Sequence, residues 1–77
     1  MKNKIKIIMA SVFEIPVEDI NDDSSTNSIE NWDSLRHMNL ITVLEEEFGI
    51  RFNDEQIIEM LNFEQVINNT NKVLNDK

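Results

Sequence analysis

An all-α fold of four helices, with a long loop after the first and a short third helix, follows from three features of the sequence. Apolar residues recur at helical spacing near the N-terminus, Asp33 and Gly49 bracket a second helical stretch, and two shorter helical segments follow. The chain has 77 residues and no cysteine. It is therefore read as one small domain, 1–77, held by ordinary apolar packing rather than by disulfides or a thiolate zinc site. A chain this short leaves no room for a deep catalytic cleft.

Ile5, Ile8, Met9, Val12 and Phe13 fall at i, i+3, i+4, i+7 and i+8 and so form one stripe along an amphipathic first helix. Pro16 disfavours helical geometry at Ile15 and closes that segment. From Asn21 to Ser28 the chain is rich in residues whose side chains compete for backbone hydrogen bonds, which predicts a long ordered loop. Ile20, Ile29 and Trp32 are its expected inward anchors.

The second helix is expected to start at Asp33, whose side chain can cap the free amides of the first turn, and to run to Phe48 before Gly49 ends it. A third helix is expected from Asn53 or Asp54 to Met60. The fourth runs from Phe63 to about Leu74, with Phe63, Val66, Ile67 and Val73 or Leu74 facing inward.

On a helical projection Leu40, Ile41, Leu44 and Phe48 share one side of the second helix, with His37 at its edge. This is the core stripe. Leu35, Met38 and Thr42 fall on another side, followed by Glu45 and Glu46, and this second face begins beside Ser34. An apolar patch edged with carboxylates suits docking: the apolar atoms supply contact area and the charges steer a basic partner. Methionine is adaptable enough to fit several partners. The plainer alternative is that Leu35 and Met38 pack beneath the long loop.

The formal net charge is −8. Between Glu14 and Glu64 fourteen acidic residues are balanced only by Arg36 and Arg51. Such a surface repels nucleic acid and anionic lipid, and composition alone fits equally a preference for basic protein partners or acidity that only keeps a small protein in solution. The basic N-terminus is followed by too short an uncharged stretch for a signal peptide, and no segment reads as a transmembrane span, so a cytoplasmic monomer is expected.

Ser34 stands at a helix start, where unpaired amides and the helix dipole favour negative charge. A phosphodiester on its hydroxyl would be well tolerated there, and Asp33 could help to hold a cation or a basic modifying enzyme. Physics alone reads no more than an ordinary capped helix start. The arrangement Asp33-Ser34-Leu35, then Leu40-Ile41, Leu44-Glu45-Glu46-Glu47-Phe48 and Ile50, closely resembles an acyl carrier protein. Ile15-Pro16-Val17-Glu18-Asp19-Ile20 before the loop and Asp54-Glu55-Gln56 at the third helix extend the resemblance over nearly the whole chain.

That resemblance implies an acyl-carrier-like four-helix bundle whose second helix is the main recognition element. It implies that Ser34 receives phosphopantetheine from coenzyme A through a phosphopantetheinyl transferase, with Asp33 as its motif neighbour. The arm would hold acyl groups as thioesters for acyl-activating, acyl-transferring or condensing enzymes, and the chain itself would not be an enzyme. Leu35, Met38, Glu45 and Glu46 are the expected partner face, and no metal site is expected.

Three departures stand out. Asn31 replaces a glycine often found two residues before the motif aspartate, and asparagine is the residue next most tolerant of left-handed backbone. Arg36, His37 and Asn39 stand where fatty-acid carriers place acidic residues. With Phe48-Gly49-Ile50-Arg51-Phe52, this pattern looks more like the specialised carriers of bacterial biosynthetic clusters. A stand-alone peptidyl or aminoacyl carrier shares the same chemistry.

Two rival readings remain. Asp19, Asn21, Asp23, Asn27 and Glu30 occupy positions 1, 3, 5, 9 and 12 of a calcium-binding EF-hand template. Against it, Ser24 replaces the glycine of the sharp turn and Pro16 breaks the entering helix. Pairing Ser34 with His37 as nucleophile and base lacks a third orienting group, an oxyanion site and a water-excluding pocket.

Overall fold

The computed structural model describes residues 1–76. Its helices are α1 (Lys2–Phe13), α2 (Ser34–Phe48), α3 (Asp54–Glu59) and α4 (Phe63–Asn75), with a short 3-10 turn at Val17–Asp19. The expected all-α architecture is present, and α2 begins and ends where its bracketing residues place it.

Each boundary has a local cause. Helix α1 ends at Glu14, which adopts left-handed geometry at φ 56° and ψ 46° and returns its N–H to the Ala10 carbonyl. Ile15 must be extended because Pro16 follows, so the chain leaves the helix through a left-handed residue. Placing glutamate rather than glycine there costs about 1 kcal/mol. Gly49 ends α2 in the same geometry without that cost, at φ 63°. Asn53 and Gln56 form a reciprocal capping box at the start of α3, and Asn62 caps α4 by accepting the Gln65 N–H.

The long loop is held mostly by its own polar side chains. Ser24 Oγ accepts the Asn21 N–H at 2.9 Å, Asn21 Oδ1 accepts the Asp23 N–H at 2.8 Å, and Ser28 Oγ accepts the Ser25 N–H at 2.8 Å. Ile20, Ile29 and Trp32 are buried, as expected of its anchors. The loop also pairs with the junction between α3 and α4. Thr26 donates to the Leu61 carbonyl at 3.0 Å and Phe63 to the Ser24 carbonyl at 2.8 Å, around an isolated antiparallel bridge between Ser25 and Asn62.

A helix-flanked calcium loop is not what these residues build. Asp19 closes the 3-10 turn, and Asn21 spends its side-chain oxygen on the loop backbone. Among the described residues no cluster of three or more His, Cys, Asp or Glu could hold a metal ion.

The core joins Ile5, Ile8, Met9 and Phe13 of α1 to Leu40, Ile41 and Leu44 of α2, closed below by Met60, Phe63 and Val66. Phe48, assigned to the core stripe, lies at its margin and is half-buried. In α4 the inward assignment holds for Phe63 and Val66, whereas Ile67, Val73 and Leu74 only flank the core. Asn69 and Thr70 take the remaining inner positions. The Thr70 hydroxyl is buried without a hydrogen-bond partner. No helix among the described residues is long and apolar enough to cross a membrane.

Candidate functional site at the start of the second helix

Asp33 has extended backbone, at φ −101° and ψ −176°, and its side chain accepts the Arg36 N–H at 2.9 Å. Its own carbonyl accepts the His37 N–H at 2.8 Å. The amides of Ser34 and Leu35 precede the intrahelical ladder, so the helix end keeps its positive character at Ser34. Ser34 is exposed and opens α2. An exposed hydroxyl at such an end can be esterified to a phosphate without burying the added charge, so the residues present fit a phosphodiester-linked arm.

Downstream, the outer face of α2 is as open as its pattern implies. Leu35 is 73% exposed and Met38 is 50% exposed. Neither packs beneath the loop, so the plainer alternative fails. Thr42 is exposed and bonds back to the Met38 carbonyl at 3.0 Å. Glu46 is exposed, but Glu45 is half-buried and its Oε2 accepts the Phe52 N–H at 2.9 Å, which ties down the turn after α2. Glu47 lies away from this face and pairs with Lys4 of α1 at 3.5 Å.

Of the residues that depart from the family pattern, Asn39 is exposed, whereas Asn31, Arg36 and His37 prove to be internal ties. Arg36 Nη1 donates to the Val12 carbonyl at 2.7 Å and lies 3.6 Å from Glu14. Its cation thus sits at the negative end of α1 and satisfies a terminal carbonyl. Asn31 is corrected on geometry: Glu14 is the sole non-glycine residue of positive φ among those described, so Asn31 needs no left-handed tolerance. Its side-chain amide instead donates to the Phe13 carbonyl at 2.8 Å.

His37 has both ring nitrogens engaged. The Trp32 indole N–H donates to Nδ1 at 3.0 Å, and Nε2 lies 2.8 Å from the Ile57 carbonyl. An indole nitrogen can only donate and a carbonyl can only accept, so these contacts use Nδ1 as acceptor and Nε2 as donor. The ring has no free lone pair to offer Ser34 as a base.

Pattern reading placed α3 but gave neither it nor the junction after it a part in the site. Ile58 is 70% exposed and Leu61 is 48% exposed. Leu61, Trp32, Asp33, Ser34, His37 and Thr26 line one shallow depression beside the attachment candidate. The adjacent pair Ile57-Ile58 was the available signal, because a short helix can turn only one of two neighbours inward.

The structure thus places an exposed, Asp-capped serine at the start of the second helix of a helical bundle. The family model for the phosphopantetheine attachment site matches residues 3–68, and the chain belongs to that family. Among solved structures, the solution structure of a holo acyl carrier protein from Geobacter metallireducens is similar, with a TM-score of 0.86 and 29% sequence identity. The match covers 97% of this chain and 86% of that one. No curated protein is matched. The chain is therefore a non-catalytic carrier with a covalently attached phosphopantetheine group, served by a phosphopantetheinyl transferase and by acyl-handling enzymes.

Proposed function

We propose that Ser34 is the residue that carries the arm, that 1–77 acts as one carrier domain, and that the outer face of α2 receives its partners. The observation that carries this reading is the exposed Ser34 hydroxyl at the uncovered amide end of α2, within the Asp33-Ser34-Leu35 triplet. When bound, the arm supplies a terminal thiol for thioester linkage, which a chain without cysteine cannot supply itself. Asp33 holds the first turn in register, and the helix end offsets the charge of the phosphodiester.

Leu35 and Met38 provide apolar contact, and Glu46 steers a basic enzyme surface toward it. Glu45 contributes less charge to docking than Glu46, because one of its oxygens is committed to Phe52. The cargo is an acyl group of a specialised biosynthetic pathway in the cytoplasm. Support for that specialisation lies in the first turn of α2, which carries no acidic residue.

Intact mass after incubation with coenzyme A and a broad-specificity phosphopantetheinyl transferase tests the assignment. One added phosphopantetheine is expected on the unaltered chain and none on Ser34→Ala. No adduct, or one that persists in the variant, overturns it.

A further inference from the structure

Helix α3 has six residues and buries none of them completely. A helix of this length does not persist on its own, because nucleation outweighs so few hydrogen bonds. Its first turn is satisfied by the Asn53–Gln56 capping box. Of its last carbonyls, Gln56 and Glu59 are met by the Met60 and Leu61 N–H groups, and the others must be met from elsewhere. Ile57 is one of them, and its partner is His37 of α2 at 2.8 Å.

The other end of the same imidazole reaches the loop. Trp32 donates to Nδ1, and the Trp32 ring packs on Phe13 of α1 with centroids 4.9 Å apart. A continuous path therefore runs from α1 through Trp32 and His37 to α3, passing directly beneath the depression at Ser34. We infer that His37 is a positioning residue: as a two-ended clamp it fixes α3 and the following Leu61 beside Ser34, so that a transferase meets an assembled surface. This rests on Ser34 being the attachment residue, but the clamp itself does not.

The clamp makes a specific chemical demand. One side-chain atom must accept from an indole while a second donates to a carbonyl. Leucine has the bulk and neither function, whereas the glutamine amide has both. The test compares apo-protein of the unaltered chain, His37→Leu and His37→Gln. Amide hydrogen exchange is read helix by helix, and transferase kinetics are read with coenzyme A as donor.

In His37→Leu the α3 amides should exchange at least ~10-fold faster while α1 and α4 stay protected, a local opening rather than global unfolding. KM for the apo-protein should rise by roughly 10-fold with kcat retained, because docking and not phosphoryl transfer is affected. His37→Gln should return both readouts toward the unaltered chain. Should His37→Leu fail to fold, Trp32→Phe removes the indole donor and keeps an aromatic ring against Phe13, and faster α3 exchange is again expected.

Unchanged α3 exchange and KM in the folded variants would overturn the inference. So would equal impairment of His37→Gln and His37→Leu, which would reduce the residue to packing. A chain that accepts no arm at all would remove Ser34 as the site, while the exchange comparison would still decide whether His37 holds α3.

Discussion

On the inner face of α2, Leu40 and Leu44 are fully buried, whereas Leu35 on the outer face of the same helix stands 73% exposed and Met38 50% exposed. The residue types are alike, so hydrophobicity does not separate the two faces. Packing does: α1 covers one side of α2, and among the described residues no element covers Leu35 and Met38 on the other. Burying a leucine contributes about 1.5–3 kcal/mol, a large share of the few kcal/mol that hold so small a domain. Leaving two large apolar side chains in water forgoes that stabilisation, a cost for which the proposed docking role of this face would account.

The contrast can be broken most forcefully at Leu44. Leu44→Ala should cost about 2–5 kcal/mol, since both transfer energy and a cavity are involved. Urea denaturation measures it, and a loss below about 1 kcal/mol would mean that the inner face is not the core.

Arg36 tests the edge between the faces. Arg36→Ala removes the charged donor to Val12 and should lower stability by about 1–3 kcal/mol, seen as a lower thermal midpoint. A neutral outcome at that position would mean that the contact with Val12 does not help to hold α2 against α1.

Leu35→Ala should move stability by less than about 0.5 kcal/mol. The same substitution should raise KM of the transferase several-fold, by roughly the loss of one contact residue. Stability that falls as far as in Leu44→Ala would erase the difference between the two faces.

Much of the fold was legible because its causes are local. The apolar stripe of α1, the Asp33 cap, the Gly49 stop and the Pro16 break each act over a few residues, so pattern and propensity suffice. The site was legible in part for the same reason: a serine next to a capping aspartate lies at a helix end whatever surrounds it. What the arm is came from the resemblance of the whole chain to a family, which helix geometry alone does not supply.

Other residues looked like one thing and serve another. Glu45 belongs to the outer face by its register, yet its carboxylate turns back to Phe52, and Asn69 and Thr70 look solvent-facing by polarity but lie inside. Polarity predicts exposure only on average, and a four-turn helix packed in a small bundle has inner positions to fill with whatever the sequence provides.

The sequence by itself determined the number, order and ends of the helices, the amphipathic faces and the placement of Ser34 at an amide-rich helix end. Only the tertiary structure decided what Asn31, Arg36 and His37 do. Their partners Phe13, Val12 and Ile57 lie 18, 24 and 20 residues away along the chain. Hydrogen bonds over such separations exist only once α1, the loop and α3 have packed around the start of α2. A linear pattern records which side chains can donate or accept, and the fold selects the carbonyl or ring nitrogen that each one meets.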